Sequence, residues 1–292
     1  MICKTTQVGL IFSLLFFLAC QSEKTEIEND GGPFTLLSSS QTGLDFSNTL
    51  KENDKQNIIE YLYYYNGGGV AVGDVDGDGL EDIFLTANQG PDALYLNNGN
   101  LQFENVSEAS GIISENGWSS GVAMDDVNGD GHLDIYVSRV ARFAKPDQAH
   151  NFLYINDGTG KFSEQSKQLG LDFSGYSTQS CFLDYDKDGD LDMYLLNHAV
   201  HTIRSYGNTE KRSTKDPVSG DRFYENRIKE EGRFVEVTEE AGIYNSPLGY
   251  GLAITAADIN QDGWTDIYIG NDFHEYDYLY LNNGRGGFEE SN

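Results

Sequence analysis

Asp74-Val75-Asp76-Gly77-Asp78-Gly79-Leu80-Glu81-Asp82 is the first of four related stretches in a chain of 292 residues. The others are Asp126-Val127-Asn128-Gly129-Asp130-Gly131-His132-Leu133-Asp134, Asp184-Tyr185-Asp186-Lys187-Asp188-Gly189-Asp190-Leu191-Asp192 and Asp258-Ile259-Asn260-Gln261-Asp262-Gly263-Trp264-Thr265-Asp266. Oxygen-bearing side chains stand at positions 1, 3, 5 and 9 of each. Brought to about 5 Å, two carboxylates repel by roughly 3 kcal/mol at an effective dielectric of about 20, so a cation is expected among them. Hard oxygen ligands at alternating positions, with glycine at position 6 for the sharp turn, are calcium chemistry. Magnesium demands a stricter octahedron and keeps its water.

About four calcium ions are therefore expected. Positions 1, 3, 5 and 9 would ligate by side chain. Position 7 varies as Leu80, His132, Asp190 and Trp264, as expected where only its backbone carbonyl ligates. The loops are not EF-hands, because position 12, where a bidentate glutamate is needed, is Leu85, Val137, Leu195 and Ile269. The flanking Asp82-Ile83-Phe84-Leu85, Asp134-Ile135-Tyr136-Val137, Asp192-Met193-Tyr194-Leu195 and Asp266-Ile267-Tyr268-Ile269 are β-branched and aromatic, and read as strands. Each loop is thus a metal-clipped β-hairpin. Asn128 and Asn260 at position 3 remove a charge, so loops two and four are expected to bind calcium more weakly.

Thirty-three glycines, 18 tyrosines and 16 phenylalanines lean toward an all-β protein with many turns. A formal charge of −28 argues against nucleic acid or an anionic membrane surface as partner for the protein as a whole.

Val8 to Ala19 is a twelve-residue apolar run after Lys4, too short to span a bilayer, and fits the core of a secretory signal over residues 1–19. The ending Phe17-Leu18-Ala19-Cys20 resembles a bacterial lipoprotein signal, which implies lipidation of Cys20 and membrane contact through that anchor alone. Residues 20–33 read as a polar tether. With Cys3 removed and Cys20 lipidated, Cys181 has no partner for a disulfide and reads as a small buried residue. Phe34 to Tyr65 settles into neither period, and the Tyr61–Tyr65 run suggests a strand under the first repeat. Asn66-Gly67-Gly68-Gly69 looks like a phosphate loop but reads as a tight strand entry, since no helix or Lys-Ser/Thr pair follows.

Each repeat reads strand, calcium hairpin, strand, variable loop, strand, tight turn, strand. The tight turns are Asn97-Asn98-Gly99, Asn156-Asp157-Gly158 and Asn282-Asn283-Gly284, strong hairpin signals. Unit three departs, with Phe223-Tyr224-Glu225-Asn226-Arg227 and a longer turn. Fourth strands start near Phe103, Phe162, Phe234 and Phe288, followed eight residues later by Gly111, Gly170 and Gly242. Four strands per unit, at periods of 52, 58 and 74 residues, is the pattern of β-propeller blades. The Asp hairpins, Leu-Tyr-x-Asn-Asn/Asp-Gly turns and Ala/Ser-Gly-Ile connectors resemble the FG-GAP/VCBS repeat family, most of all its cartilage-acidic-protein-like bacterial branch. The hairpins are similar to those of integrin α-subunit propellers. The family usually closes with about seven blades, so four repeats over residues 34–292 are expected to be the N-terminal part of a longer protein.

Strand alternation puts the calcium hairpins and Asn-Gly turns on one face, and the variable loops and connectors on the other. The long insertions, Ser138 to Ala149 and Asn197 to Arg222, carry Arg139, Arg142, Lys145, Arg204, Lys211, Arg212, Lys215 and Arg222, eight of 19 Lys and Arg. Such a cluster is expected to suit an anionic glycan or an acidic protein surface; the plain alternative is a solvated loop. His198 and His201, with Asn197 and Tyr206 nearby, lack a third metal ligand and read as loop packing. Trp118 and Trp264 read as packing residues. No nucleophile elbow appears. The reading is a non-enzymatic, calcium-stabilised surface-binding or adhesion module of an exported lipoprotein of the cell envelope. The alternatives are a propeller enzyme acting on anionic polysaccharide and a structural platform.

Overall fold

The computed structural model describes residues 32–113, 117–143, 149–200 and 209–291. From Ser39 onward the chain clusters as one compact unit, separate from the residues up to Ser38. Among the described residues the strands form four antiparallel sheets of four, each a meander in chain order. The first comprises β1 (Val70–Gly73), β2 (Asp82–Leu85), β3 (Ala93–Asn97) and β4 (Phe103–Asn105). The second comprises β5 (Ser119–Asp125), β6 (Asp134–Arg139), β7 (Phe152–Asn156) and β8 (Phe162–Glu164). The third comprises β9 (Ser177–Leu183), β10 (Asp192–Asn197), β11 (Arg222–Arg227) and β12 (Arg233–Glu236). The fourth comprises β13 (Gly251–Ala257), β14 (Asp266–Asn271), β15 (Tyr278–Asn282) and β16 (Phe288–Glu290). First strands neighbour one another in succession, β1 with β5, β5 with β9 and β9 with β13. The sheets are blades of a propeller, set side by side in an open arc.

The period-2 alternation of the second strands explains the stacking. Ile135 and Val137 of β6 pack on Phe84 and Leu94 of the first blade. Tyr136 between them points the other way, against Met193 and Leu195. Tyr194 and Leu196 of β10 then meet Ile267 and Ile269. Both faces of β6 and β10 are therefore buried along their whole length, and a side chain such as Leu195 contributes about 1.5–3 kcal/mol by leaving water. The two end blades differ. Val70 and Val72 on β1, with Leu252 and Tyr268 in the last blade, are exposed.

A left-handed glycine fixes each connector. At Gly111 (φ +86°) an added Cβ would lie 2.5 Å from the Phe162 carbonyl oxygen, at the start of the next blade's outer strand. Gly170 and Gly242 abut Phe234 and Phe288 in the same way, and so does Gly43 against Phe103. Gly43-Leu44-Asp45-Phe46-Ser47 repeats Gly170-Leu171-Asp172-Phe173-Ser174 residue for residue, so the stretch before the first blade is itself a connector. The strand expected over Tyr61–Tyr65 is corrected: these residues form turns. Their rings pack with Trp118, Val140, Ala199 and Tyr250 in a separate apolar cluster, a job for which aromatic bulk serves as well as strand propensity. Asn66 to Gly69 leads straight into β1, as a strand entry should.

Candidate metal centres and the opposite face

Four Asp loops join the first and second strands of the four blades, as the spacing predicts. In loop one, ligand oxygens of Asp74, Asp76 and Asp78 lie within 4.8 Å of one another, and in loop three so do those of Asp184, Asp186 and Asp188. In loops one, two and four, position 1 is held by the loop's own backbone. Asp74 Oδ1 accepts from Gly77 N at 2.8 Å and Asp78 N at 3.2 Å, and its Oδ2 accepts from Gly79 N at 2.8 Å. Asp126 repeats all three bonds and Asp258 two of them. Position 4 is left-handed throughout, at Gly77, Gly129, Lys187 and Gln261, a requirement the spacing argument missed for all but position 6.

Position 9 is buried in every loop and holds the blade together. Asp82 Oδ2 accepts from Val75 N at 2.9 Å and its Oδ1 from Asn97 N at 2.8 Å. Asp134, Asp192 and Asp266 do the same with Asn156, Asn226 and Asn282 at 2.8–2.9 Å. Unit three thus keeps this asparagine despite its different turn. Burial pushes the carboxyl of Asp134 up to about 7 and that of Asp192 up to about 8, helped by the neighbouring loop carboxylates and opposed by the backbone N–H donors.

Two observations test whether a cation fits. In loop three the buried oxygens Asp184 Oδ1 and Asp190 Oδ1 have no hydrogen-bond partner, while Lys229 Nζ holds the other oxygen of Asp190 at 2.9 Å. Hard oxygens crowded without donors are what a divalent cation satisfies. In loops two and four the amide of position 3 does part of that work. Asn128 Nδ2 donates to Asp130 Oδ2, and Asn260 Nδ2 to Asp262 Oδ2, each at 2.9 Å.

Position 7 has a second role that its variability concealed. Leu80, His132 and Trp264 each lie over the glycine of their own blade's tight turn, Gly99, Gly158 and Gly284. Trp264 is half-buried, with Lys187 Nζ of the preceding blade 4.0 Å from its ring centre. Trp118 is buried in the aromatic cluster. Cys181 is a free thiol that burial pushes up to about 11.

On the opposite face, one bond pinches the base of each variable loop. The N–H ending or following the second strand donates to an Asp or Asn just before the third: Ala87 to Asp92, Arg139 to Asn151, Asn197 to Asp221 and Asn271 to Asp277, at 2.7–2.8 Å. Length can change beyond the pinch without disturbing the blade. Of the expected basic cluster, the described arginines are buried or paired. Arg139 is 1% exposed, its guanidinium 4.1 Å from the Phe152 ring centre. Arg142 pairs with Glu60, Arg212 with Glu275, Lys215 with Glu239 and Arg222 with Glu236. His198 is buried, Nε2 2.8 Å from Tyr61 Oη and Nδ1 3.0 Å from the Ala199 carbonyl, so both ring nitrogens are engaged in packing. Cys20, Lys145, His201, Arg204 and Tyr206 lie outside the described residues.

Comparison with known proteins agrees with this architecture. FG-GAP-like repeats match residues 74–137 and 141–195, and an FG-GAP repeat matches residues 250–281. The chain is similar to cartilage acidic protein 1 of Xenopus tropicalis, 25% identical over 245 residues, covering 82% of this chain and 34% of the relative. The mouse protein of that name is 24% identical over 267 residues, 90% of this chain and 38% of the relative. The chain thus spans about a third of these relatives' length. Among solved structures, an Agrocybe aegerita lectin recognising non-reducing terminal N-acetylglucosamine aligns at TM-score 0.38 and 20% identity, over 75% of this chain and 50% of the lectin. The Vibrio cholerae biofilm matrix protein Bap1 aligns at TM-score 0.37 and 17% identity, over 76% and 30%. With four blades, four Asp hairpins and repeat matches that reach all four units, the chain belongs to the FG-GAP repeat family.

Proposed function

We propose that this chain is a calcium-stabilised binding module of an exported, lipid-anchored protein, with calcium in the four Asp loops and partners taken on the opposite face. The observation that carries the calcium reading is the pair of buried, partnerless oxygens, Asp184 Oδ1 and Asp190 Oδ1, beside three converging carboxylates. Asp74, Asp76, Asp78 and Asp82, with the equivalent residues of the other loops, would hold the ions. Leu80, His132, Asp190 and Trp264 would add a backbone carbonyl. A bound ion would neutralise carboxylates that burial otherwise penalises, so metal binding and folding are linked. The envelope location rests on the lipoprotein-like ending at Cys20.

The role is binding rather than catalysis. On the insertion face, His198 spends both ring nitrogens on packing. The experiment is thermal unfolding with calcium and with a chelator, alongside a calcium titration. A rise in melting temperature with calcium and saturable uptake of several ions support the proposal. Identical melting in both conditions overturns it.

A further inference from the structure

Every connector between blades follows a fourth strand. Gly111 comes after β4, Gly170 after β8 and Gly242 after β12, and each opens the path into the next blade. Gly43 opens the path into the first blade with the same geometry. An added Cβ there would lie 2.2 Å from the Phe103 carbonyl oxygen, and the single-turn helix Ser39–Thr42 before it matches Ser166–Leu169 before Gly170. What precedes Gly43 should then be a fourth strand too.

The residues there have the pattern of one. Phe34-Thr35-Leu36-Leu37-Ser38 matches Phe103-Glu104-Asn105-Val106-Ser107 and Phe234-Val235-Glu236-Val237-Thr238, with one residue more before the glycine. In those two blades each part of the pattern is tied to the third strand. The phenylalanine stands opposite the asparagine that closes the sheet, Asn97 or Asn226. The valine N–H donates to the carbonyl of Leu94 at 2.9 Å, or of Phe223 at 2.8 Å. The Ser107 hydroxyl accepts from Leu94 N at 2.9 Å, and that of Thr238 from Phe223 N at 3.0 Å. Phe34 to Ser38 carries the same groups but belongs to none of the four sheets. Phe34 is 89% exposed and Leu37 39%, whereas Phe234 and Val237 are 2% and 7% exposed.

The end blades also present faces that their counterparts bury. Phe84, Tyr136 and Tyr194 are covered by the following blade, but Tyr268, at the same position in blade four, is exposed. Val70 pairs with position 12 as Val122 does, yet Val122 is buried against the preceding blade and Val70 is exposed. Each end of the arc thus offers a surface shaped for one more blade.

We infer that Phe34–Ser38 is the fourth strand of a blade whose first three strands lie further along the same polypeptide, beyond residue 292. Its partner is a three-stranded antiparallel sheet of the same repeat, with the outer edge open. A second copy of residues 34–292 does not fit, because all four of its blades already hold a fourth strand. The relatives, of which this chain spans about a third, have the length for further blades. Main-chain bonds along the open edge supply the affinity and burial of Phe34 the anchor, and pairing covers an edge that would otherwise stay exposed. The contact joins the start of the chain to its later blades, and it does not depend on the calcium reading.

The test compares the 292-residue chain with the polypeptide read through to its own stop codon, both in calcium. Hydrogen exchange reads the Leu37 amide, the counterpart of the Val106 and Val237 donors. It should exchange at least about tenfold more slowly in the longer polypeptide. Phe34→Asp should remove that protection and lower the melting temperature of the longer polypeptide by several degrees, while leaving the 292-residue chain unchanged. Both effects should be independent of protein concentration. A reading frame that ends at residue 292, equal exchange of Leu37 in the two chains, or protection that grows with concentration would each overturn the inference. So would a Phe34→Asp variant of the longer polypeptide that melts as wild type.

Discussion

Asn156 Nδ2 donates to the carbonyl oxygen of Val75 across 81 residues of sequence, at 2.7 Å. Val75 is position 2 of the first Asp loop, and Asn156 ends the third strand of the next blade. The same asparagine also donates through its backbone to Asp134 and through its side chain to the Leu133 carbonyl. Asn226 repeats the arrangement to Val127 at 3.0 Å, and Asn282 to Tyr185 at 2.7 Å. The first three Asp hairpins are thereby each fastened to the blade that follows, so order in one loop is passed to its neighbour.

Asn156→Ala should destabilise the protein by about 1–3 kcal/mol, since it leaves the buried Val75 carbonyl without this donor. Asn97, in the first blade, reaches only the exposed carbonyl of its own Glu81, so Asn97→Ala should cost less, about 0.5–1.5 kcal/mol. Urea unfolding of the two variants measures the difference. Equal costs would remove the inter-blade role.

Calcium affinity should rank loop three first and loop four last. Loop three adds Asp190 to an all-Asp set. Loop four has Asn260, and its Asp258 is exposed, because no blade covers it among the described residues. Asn128→Asp should tighten loop two by about tenfold, 1.4 kcal/mol, since it replaces an amide already donating to Asp130 with a charged ligand. Titration of single-loop knockouts reads the order, and a weaker Asn128→Asp loop two would refute it.

The Asp loops were legible because ligand spacing is written into the chain, and so were the strands after them, Asp82–Leu85 to Asp266–Asn271, whose alternation had to serve two blades. The connector at Gly43 was missed despite its identity with residues 170–174, because no Asp loop precedes it to mark a repeat. Tyr61–Tyr65 misled because aromatic residues favour strands and buried plugs alike. Arg139 misled because its charge is visible in the sequence and the Phe152 ring beneath it is not. The meeting of Tyr61, Tyr63, Tyr176, His198, Tyr250 and Phe273 on the insertion face was invisible, since these rings are scattered along the chain and no local period joins them.

Gln261→Gly should stabilise the protein by about 0.5–1 kcal/mol. Gln261 sits at φ +63°, where a Cβ costs roughly 1–2 kcal/mol and the greater unfolded-state freedom of glycine returns part of the gain. Loops one and two already carry Gly77 and Gly129 at this position. Lys187→Gly should gain less, because it also removes the cation above Trp264. Thermal unfolding of both variants decides. A loss of stability in Gln261→Gly would show that the side chain does more than tolerate its conformation.

Two buried groups away from the loops should give stability opposite pH dependences. Burial raises Asp221 from its ordinary 3.8 to about 7, against donors from Asn197 and Tyr194. Between those values the folded state binds the proton more tightly, so this group's contribution falls as pH rises, by about 1.4 kcal/mol per unit. Burial lowers His198 from 6.5 to about 4. There the unfolded state binds the proton more tightly, so stability is lost as pH falls from 6.5 toward 4. Asp221→Asn keeps an acceptor for the Asn197 N–H and removes the charge. Relative to wild type it should therefore be stabilising at pH 8 and lose that advantage progressively toward pH 4. Urea unfolding of both proteins across that range measures the crossover, and a difference independent of pH would mean that Asp221 titrates alike in the folded and unfolded states.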